Sequence, residues 1–317
     1  MIYNKLGKTG LTVSKLCFGG LTVGPCQAGM SPEAGGEVIA YAFSKGINFI
    51  DTAQLYCTYP HIKYALKKHG QDGLVVASKT YAFEAGTARA AVEQARTELD
   101  RDVIDIFLLH EQESVHTLRG HAAALEELYK MKAAGKIRAV GLSTHHVAGV
   151  YGAIEYSLDI VHPLFNIASL GIADGTVDDM AKAAQEAAEK GIGVYLMKPF
   201  GGGNLLKRSE ECLEFVLRQP FADSIAIGMQ SKLEVDANIC FFEKCCFDRR
   251  HKVLLNRKKR RLIVENWCQG CGECEKVCNQ NAIYVDKELK KAVCVEEKCI
   301  TCGYCGAACP KTCLKII

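Results

Sequence analysis

The sequence predicts an α/β protein, a (β/α)8 TIM barrel carrying a small C-terminal α+β unit, and three observations support this. The 317 residues exceed one average domain but suit a barrel of roughly 250 residues with an appendage. From Leu11 to about Phe242, short β-branched or apolar runs alternate with longer stretches of helical period, as repeated βα units require. Near the C-terminus one cysteine spacing occurs twice.

Candidate strands lie near 13–18, 48–52, 74–79, 104–110, 137–142, 160–166, 193–198 and 224–228. Each is followed by a helical stretch, and eight such units make the barrel. Two helices show their buried stripes plainly: Ala88, Ala91, Val92, Ala95 and Leu99 in one, Val177, Met180, Ala181, Ala184 and Ala188 in the other. Both are expected to pack on the barrel wall. A doubly wound sheet is the rival, but no G-x-G-x-x-G follows a strand, and Gly7-Lys8-Thr9 lacks the upstream glycine of a P-loop. The expected division is a barrel over 1–247, a basic linker over 248–265 and a cysteine-rich unit over 266–317.

Composition is that of an ordinary globular chain, with 49% apolar residues, 24% charged residues and a net charge of +3. It indicates no general affinity for nucleic acid or membrane, and no apolar run approaches the ~20 residues that span a bilayer. The N-terminus carries Lys5 and Lys8 and no signal-peptide apolar region. The 17 cysteines are therefore expected to be reduced thiols in a cytoplasmic, soluble protein. The linker is basic, with Arg249, Arg250, His251 and Lys252, then Arg257 to Arg261. It reads as a solvated connector or helix face, or as a docking surface for an acidic redox protein. Its lack of interleaved aromatics argues against nucleic acid.

Cys268, Cys271, Cys274 and Cys278 follow C-x2-C-x2-C-x3-C, and Cys299, Cys302, Cys305 and Cys309 repeat it 31 positions later. Thiolates suit zinc or iron-sulfur clusters, but zinc ribbons place cysteines in well-separated pairs. Three ligands within seven residues wrap one face of a cube. Residues 266–317 resemble bacterial-type ferredoxins, including the proline in Cys309-Pro310, although Asn279 replaces it in the first run. The resemblance implies two 4Fe-4S clusters with crossed ligation. Cys268, Cys271, Cys274 and Cys309 would hold one, and Cys299, Cys302, Cys305 and Cys278 the other. Cys313 and Cys294 read as buried fillers. Cys17, Cys26, Cys57, Cys212, Cys240, Cys245 and Cys246 read as structural.

Polar residues gather at the C-terminal strand ends, where barrel enzymes work: Asp51 with Tyr56 shortly after, Lys79, and His110. A phenol ordinarily titrates near 10, and an adjacent ammonium lowers that value by stabilising the phenolate. Lys79 is expected to supply that charge and Asp51 to hold the lysine. His110 would polarise a carbonyl oxygen while Tyr56 moves its proton.

In this order the four residues match the Asp-Tyr-Lys-His tetrad of the aldo-keto reductase family, which the segment 1–245 resembles. Leu6-Gly7-Lys8-Thr9-Gly10 resembles that family's N-terminal hairpin. The resemblance implies NAD(H) or NADP(H) extended across the mouth. Ser143, Thr144 and His162 would meet the nicotinamide amide, and Met197 would back its ring. Gly201 would approach the pyrophosphate, and Gly228, Gln230, Glu234 and Asn238 the adenosine end. Glu234 stands where relatives carry a cation, which favours NAD over NADP.

The expectation is an oxidoreductase moving hydride between the nicotinamide and a small carbonyl or alcohol, with clusters exchanging electrons. The alternative is a ferredoxin-like electron-transfer module, or a redox sensor, with the barrel as scaffold or docking surface. Coupling nicotinamide to clusters calls for a splitting centre such as a flavin, for which no motif is present. Iron-sulfur content also points to an anaerobic setting.

Overall fold

The structure, a computed structural model, describes residues Met1–Ile317. A hairpin of β1 (Tyr3–Lys5) and β2 (Thr12–Ser14) precedes eight parallel strands. These are β3 (Leu16–Gly19), β4 (Phe49–Asp51), β5 (Val75–Thr80), β6 (Ile104–Leu109), β7 (Ile137–Thr144), β8 (Ile160–Pro163), β9 (Gly193–Met197) and β10 (Ser224–Gly228). They close in sequence order, β10 pairing with β3. Helices α1 (Pro32–Ser44), α2 (Tyr59–His69), α3 (Ala85–Leu99), α4 (Val115–Gly120), α5 (Ala122–Ala133), α6 (Val147–Glu155), α7 (Val177–Glu189), α8 (Ser209–Leu217) and α9 (Lys232–Lys244) occupy the connections. No helix is long and apolar enough to cross a membrane.

The two predicted stripes behave differently in detail. In α3 all five expected residues are buried. In α7 Met180 and Ala184 are buried together with Ala183 and Ala187, whereas Val177, Ala181 and Ala188 are only half-buried. That face is turned by part of a turn from the expected one, which small alanines permit.

Two apolar cores result. One of 57 buried residues fills the space between strands and helices. The other, of 13, lies inside the barrel, where Phe49, Ile106, Leu108 and Tyr195 meet Leu6, Leu11 and Val13. The hairpin thus plugs the N-terminal end of the barrel and leaves the opposite end for chemistry.

Beyond the barrel, the segment expected as a linker is largely ordered. Residues Arg249–Arg257 form α10, and Lys258 and Arg260 return to the barrel to meet Glu234. Strand β11 (Leu262–Val264) then pairs antiparallel with β14 (Leu314–Ile316). Between them lie α11 (Glu273–Lys276), the hairpin of β12 (Ile283–Asp286) and β13 (Lys291–Cys294), and α12 (Tyr304–Ala308). This unit's core has only 7 buried residues, and Leu206 of the barrel packs against it.

The unit docks on the loop after β9. The Ile316 amide donates to the Gly202 carbonyl, and Asn204 donates to the Leu314 carbonyl at 2.9 Å. At Gly203, with φ +88°, an added Cβ would lie 1.9 Å from the Ile316 carbonyl oxygen. Glycine is therefore required by conformation and by contact. We predict that Gly203→Ala displaces the C-terminal strand, so limited proteolysis near residues 258–262 accelerates markedly while the barrel stays folded. Gly10→Ala is the control, since Gly10 also has positive φ (+77°) but open space around it. It should cost only about 1 kcal/mol in a thermal melt and release no fragment. Equal proteolysis of both variants would contradict the docking role.

Candidate functional site

At the open end of the barrel, Asp51 ends β4, Lys79 lies near the end of β5, and His110 follows β6 directly. Tyr56 sits on a single 3-10 turn, Gln54–Tyr56, after β4. The four expected residues do come together. Lys79 is fully buried and donates to Asp51 Oδ2 and to the Thr52 carbonyl, both at 2.7 Å. Its Nζ lies 5.0 Å from the Tyr56 ring centroid. Tyr56 Oη is 3.4 Å from His110 Nε2.

Electrostatics correct one expectation. The Tyr56 hydroxyl is not acidified: burial pushes its pKa well above the usual value, and Asp51 and Glu111 push it further. Lys79 cannot offset this because its charge is matched by Asp51 at close range. Burial holds His110 well below the usual imidazole range, with Lys79 and Lys198 adding to the effect. Near neutral pH the pair is therefore a protonated phenol beside a neutral imidazole. The buried His110 Nδ1 has no partner.

Several residues complete this mouth without having been expected. Tyr195 donates its hydroxyl to Asp51 Oδ1 at 2.9 Å. Tyr81 stacks on His110 with centroids 4.4 Å apart and donates to Glu111. Lys198, just past β9 and with φ +59°, bonds His145 Nε2 at 2.8 Å. Burial, then the nearby Lys315 of the C-terminal unit, pushes its amine down to about 7. Strand-end position could have suggested Lys198 and His145. Nothing in the sequence reveals Lys315 as their neighbour.

The residues expected around a nicotinamide cofactor are mostly engaged elsewhere. Ser143 Oγ accepts the Glu111 amide, and Thr144 Oγ1 closes a turn with His146. His162 is buried, stacked 3.7 Å from Tyr195, with Nδ1 2.6 Å from the Tyr195 carbonyl oxygen and Nε2 3.8 Å from Asp51. It belongs with the Asp51 network. Met197 does lie at the strand end, buried. Gly201, with φ +55°, packs on Leu170 and Leu205, and its neighbours Gly202 and Gly203 are covered by Lys315 and Ile316. Gly228 ends β10 where Thr22 packs so closely that a Cβ would meet it at 2.0 Å.

Glu234 also differs from expectation. Its carboxylate accepts the Gln230 amide at 2.6 Å, Lys258 at 2.7 Å and Arg260 at 3.3 Å. The Gln230 side chain is tied to the Thr22 carbonyl and to Lys258. Asn238 donates to the Glu234 carbonyl. Glu234 and Asn238 line a cavity of about 230 Å³ with Lys207, Lys258, Arg260 and Thr301. A neutralised carboxylate gives no reason to favour NAD over NADP.

In the C-terminal unit, Cys268, Cys271, Cys274 and Cys309 line one hollow, and Cys278, Cys299, Cys302 and Cys305 line another. Cys313 also borders the first hollow, and the four repeat thiols at each are the soft donor set that an iron-sulfur cube takes. Backbone amides already point at these sulfurs. Ala282 donates to Cys278 Sγ and Cys313 to Cys309 Sγ, both at 3.3 Å, at equivalent places in the two repeats. Cys313 is buried, as a filler should be, whereas Cys294, expected to be one too, is only half-buried. Of the seven barrel-side cysteines expected as structural, Cys17, Cys212 and Cys240 are buried, whereas Cys26, Cys57, Cys245 and Cys246 are exposed.

A parallel barrel with titratable groups converging at one mouth, joined to a unit with two cysteine-lined hollows, defines a redox class of protein. Residues 15–214 match the aldo/keto reductase family and residues 261–310 a 4Fe-4S dicluster domain. The chain belongs to the aldo/keto reductase family and carries a C-terminal 4Fe-4S dicluster domain. It is 30% identical over 215 residues to "Probable aldo-keto reductase 1" of Glycine max, covering 63% of this chain and 59% of that protein. It is 26% identical over 219 residues to L-galactose dehydrogenase of Arabidopsis thaliana, covering 64% and 66%. The chain thus spans less than two thirds of the length of these curated relatives. Among solved structures, an aldo-keto reductase from Bacillus halodurans in its holo form superposes with a TM-score of 0.65 at 18% identity. That match covers 81% of this chain and 96% of the other, and it bears on the fold alone.

The Lys198 amine yields a pH prediction. Its folded value lies below that of an unfolded lysine, about 10.4, so the unfolded chain binds the extra proton between about pH 7 and 10.4 and stability rises with pH there. Below about pH 7 the destabilisation is complete. Lys198→Met is expected to raise the melting temperature at about pH 6, with the gain shrinking as pH climbs towards 10. A gain independent of pH would show that the amine is not its source.

Proposed function

We propose that the protein is a nicotinamide-dependent oxidoreductase that reduces a small aldehyde or ketone, or oxidises the matching alcohol, at the mouth of its barrel. The observation that carries this is the Tyr56 hydroxyl, protonated and within 3.4 Å of a neutral His110, beside the buried Asp51–Lys79 pair. When bound, the nicotinamide would supply or take the hydride. Tyr56 holds the proton that a carbonyl oxygen needs as it becomes an alkoxide. His110 orients that oxygen, and Lys79, held by Asp51 with its Nζ 5.0 Å from the Tyr56 ring centroid, positions the phenol.

The cavity by Glu234 fits the phosphate-bearing end of the dinucleotide. Lys207, Lys258 and Arg260 face one carboxylate there, and this excess of positive charge supports NADP(H). The eight cysteines of the two repeats would hold two 4Fe-4S clusters in the crossed arrangement that the two hollows favour.

Tyr56→Phe is expected to lower the rate of carbonyl reduction by at least about a hundredfold while leaving cofactor affinity, measured by fluorescence titration, within about twofold. Unchanged turnover would remove Tyr56 from the chemistry. Lys258→Met with Arg260→Met should lower the preference for NADPH over NADH in kcat/KM by at least about tenfold; an unaltered ratio would separate these cations from cofactor choice.

One observation favours electron exchange between the two halves. Thr301 and Ile316 line both the cofactor cavity and the hollow of Cys278, Cys299, Cys302 and Cys305. A hydride carries two electrons and each cluster takes one, so exchange requires a centre that separates the pair, a flavin being the obvious class. Anaerobic addition of NADPH, with flavin content quantified, should bleach the cluster absorbance if the halves are coupled. Full carbonyl turnover with no bleaching would leave the clusters to an external partner, such as an acidic redox protein.

A further inference from the structure

The junction between barrel and C-terminal unit holds a second group of potential ligands that neither the tetrad nor the cysteine repeats use. Cys240 lies in the last turns of α9. The chain reverses at Cys245, which has φ +57°, and enters α10 with Asp248 as its N-cap. The reversal brings one sulfur, one carboxylate oxygen and one imidazole nitrogen, from Cys240, Asp248 and His251, to within 4.8 Å of one another. Protein contacts leave one of these three atoms without a partner. The Asp248 carboxylate, although at the N-cap, makes no capping hydrogen bond and lies 3.6 Å from Lys244 Nζ, and Cys240 Sγ donates to the Cys246 carbonyl at 3.5 Å. His251 Nδ1 is buried and has no hydrogen-bond partner, its nearest carboxylate oxygen being 4.0 Å away on Asp248.

We propose that Cys240, Asp248 and His251 bind a divalent transition metal of the zinc type. Thiolate, imidazole and carboxylate are the three donor types that zinc accepts, at about 2.0 to 2.3 Å in tetrahedral geometry. Closing a separation of up to 4.8 Å onto one ion needs only a modest inward movement of side chains. Binding releases the Cys240 thiol proton to solvent. The thiolate and carboxylate then balance the two charges of the ion, which offsets the repulsion from Lys244, whose Nζ lies 3.6 Å from Asp248. Asp248 is half-exposed, so the fourth position is open to water or to the exposed Cys246, six residues on from Cys240 in the chain. Calcium and magnesium are excluded by the soft sulfur donor.

The consequence is mechanical. A metal here pins α10 to α9, and α10 leads directly into Lys258 and Arg260, the residues that reach back to Glu234. The site would hold the cofactor-side cations in place without touching the cluster cysteines.

The test uses the full chain purified anaerobically with its clusters, after incubation with equimolar Zn²⁺ and desalting. Metal analysis should give about one zinc per chain beside about eight iron. Zinc-edge X-ray absorption should show a first shell of one or two sulfurs at about 2.3 Å with nitrogen and oxygen at about 2.0 Å. Cys240→Ser and His251→Gln should each lower zinc at least tenfold with iron unchanged. If Cys240→Ser does not fold, the partly exposed His251 decides. Zinc below a tenth of an equivalent in the parent, zinc retained in His251→Gln, or a four-sulfur shell marking capture by the cluster cysteines would each overturn the proposal.

Discussion

A lysine ammonium with no exposed surface cannot remain charged without partners, and Lys79 finds them in Asp51 and the Thr52 carbonyl. The barrel supplies this match by its own geometry. Parallel strands in consecutive register bring the ends of β4 and β5 side by side, so an acid at the end of one faces a base at the end of the next. Asp51 is then shared: the Tyr195 hydroxyl on β9 donates to it, and His162 on β8 lies 3.8 Å away. Four strands thus converge on one carboxylate. Breaking the pair would strand a charge in the barrel interior at a cost of roughly 3–5 kcal/mol, so the network is as much a structural keystone as a chemical one.

The same pairing sets the proton state of the mouth. Because Lys79 is matched by Asp51, it does not pull the Tyr56 hydroxyl down, and burial leaves that phenol reluctant to ionise. Reluctance is compatible with donation. An alkoxide is a far stronger base than a phenolate, so in the proposed reaction a phenol of raised pKa would give up its proton late, once negative charge has developed on the substrate oxygen. Neutral His110 suits this arrangement, since an imidazolium there would add a third positive charge beside Lys79 and Lys198.

The fold was legible because its signals are local. The barrel strands announced themselves by apolar runs near their own positions, although the range 13–18 merged β2 of the hairpin with β3 and the strands of the C-terminal unit were not located; the Asp51, Tyr56, Lys79 and His110 set was readable because strand ends share one mouth by construction. What the sequence hid depends on contacts between distant segments. Glu234 looked like a free carboxylate, and only folding shows Lys258 and Arg260 on it. His162 looked like a residue of the mouth, yet its ring turns inward onto Tyr195. The glycine run after β9 suggested a ligand, but Gly202 and Gly203 lie under Lys315 and Ile316 of the last strand and Gly201 lies against Leu170 and Leu205. In each case the residue type was read correctly and its partner could not be.

That last strand links the two halves more closely than a linker would. The C-terminal unit has a core of 7 buried residues, against 57 for the barrel's main core. So small an apolar core cannot by itself offset the entropy of ordering fifty residues, and units of this size ordinarily rely on metals or other cross-links. Its β14 strand is also what covers Gly202 and Gly203 and receives the Asn204 hydrogen bond. If cluster ligation orders β14, it also orders the loop after β9, which borders both Lys198 and the cavity beside Glu234. Iron content would then bear on the shape of the barrel mouth whether or not an electron passes between the halves, because the two share a wall.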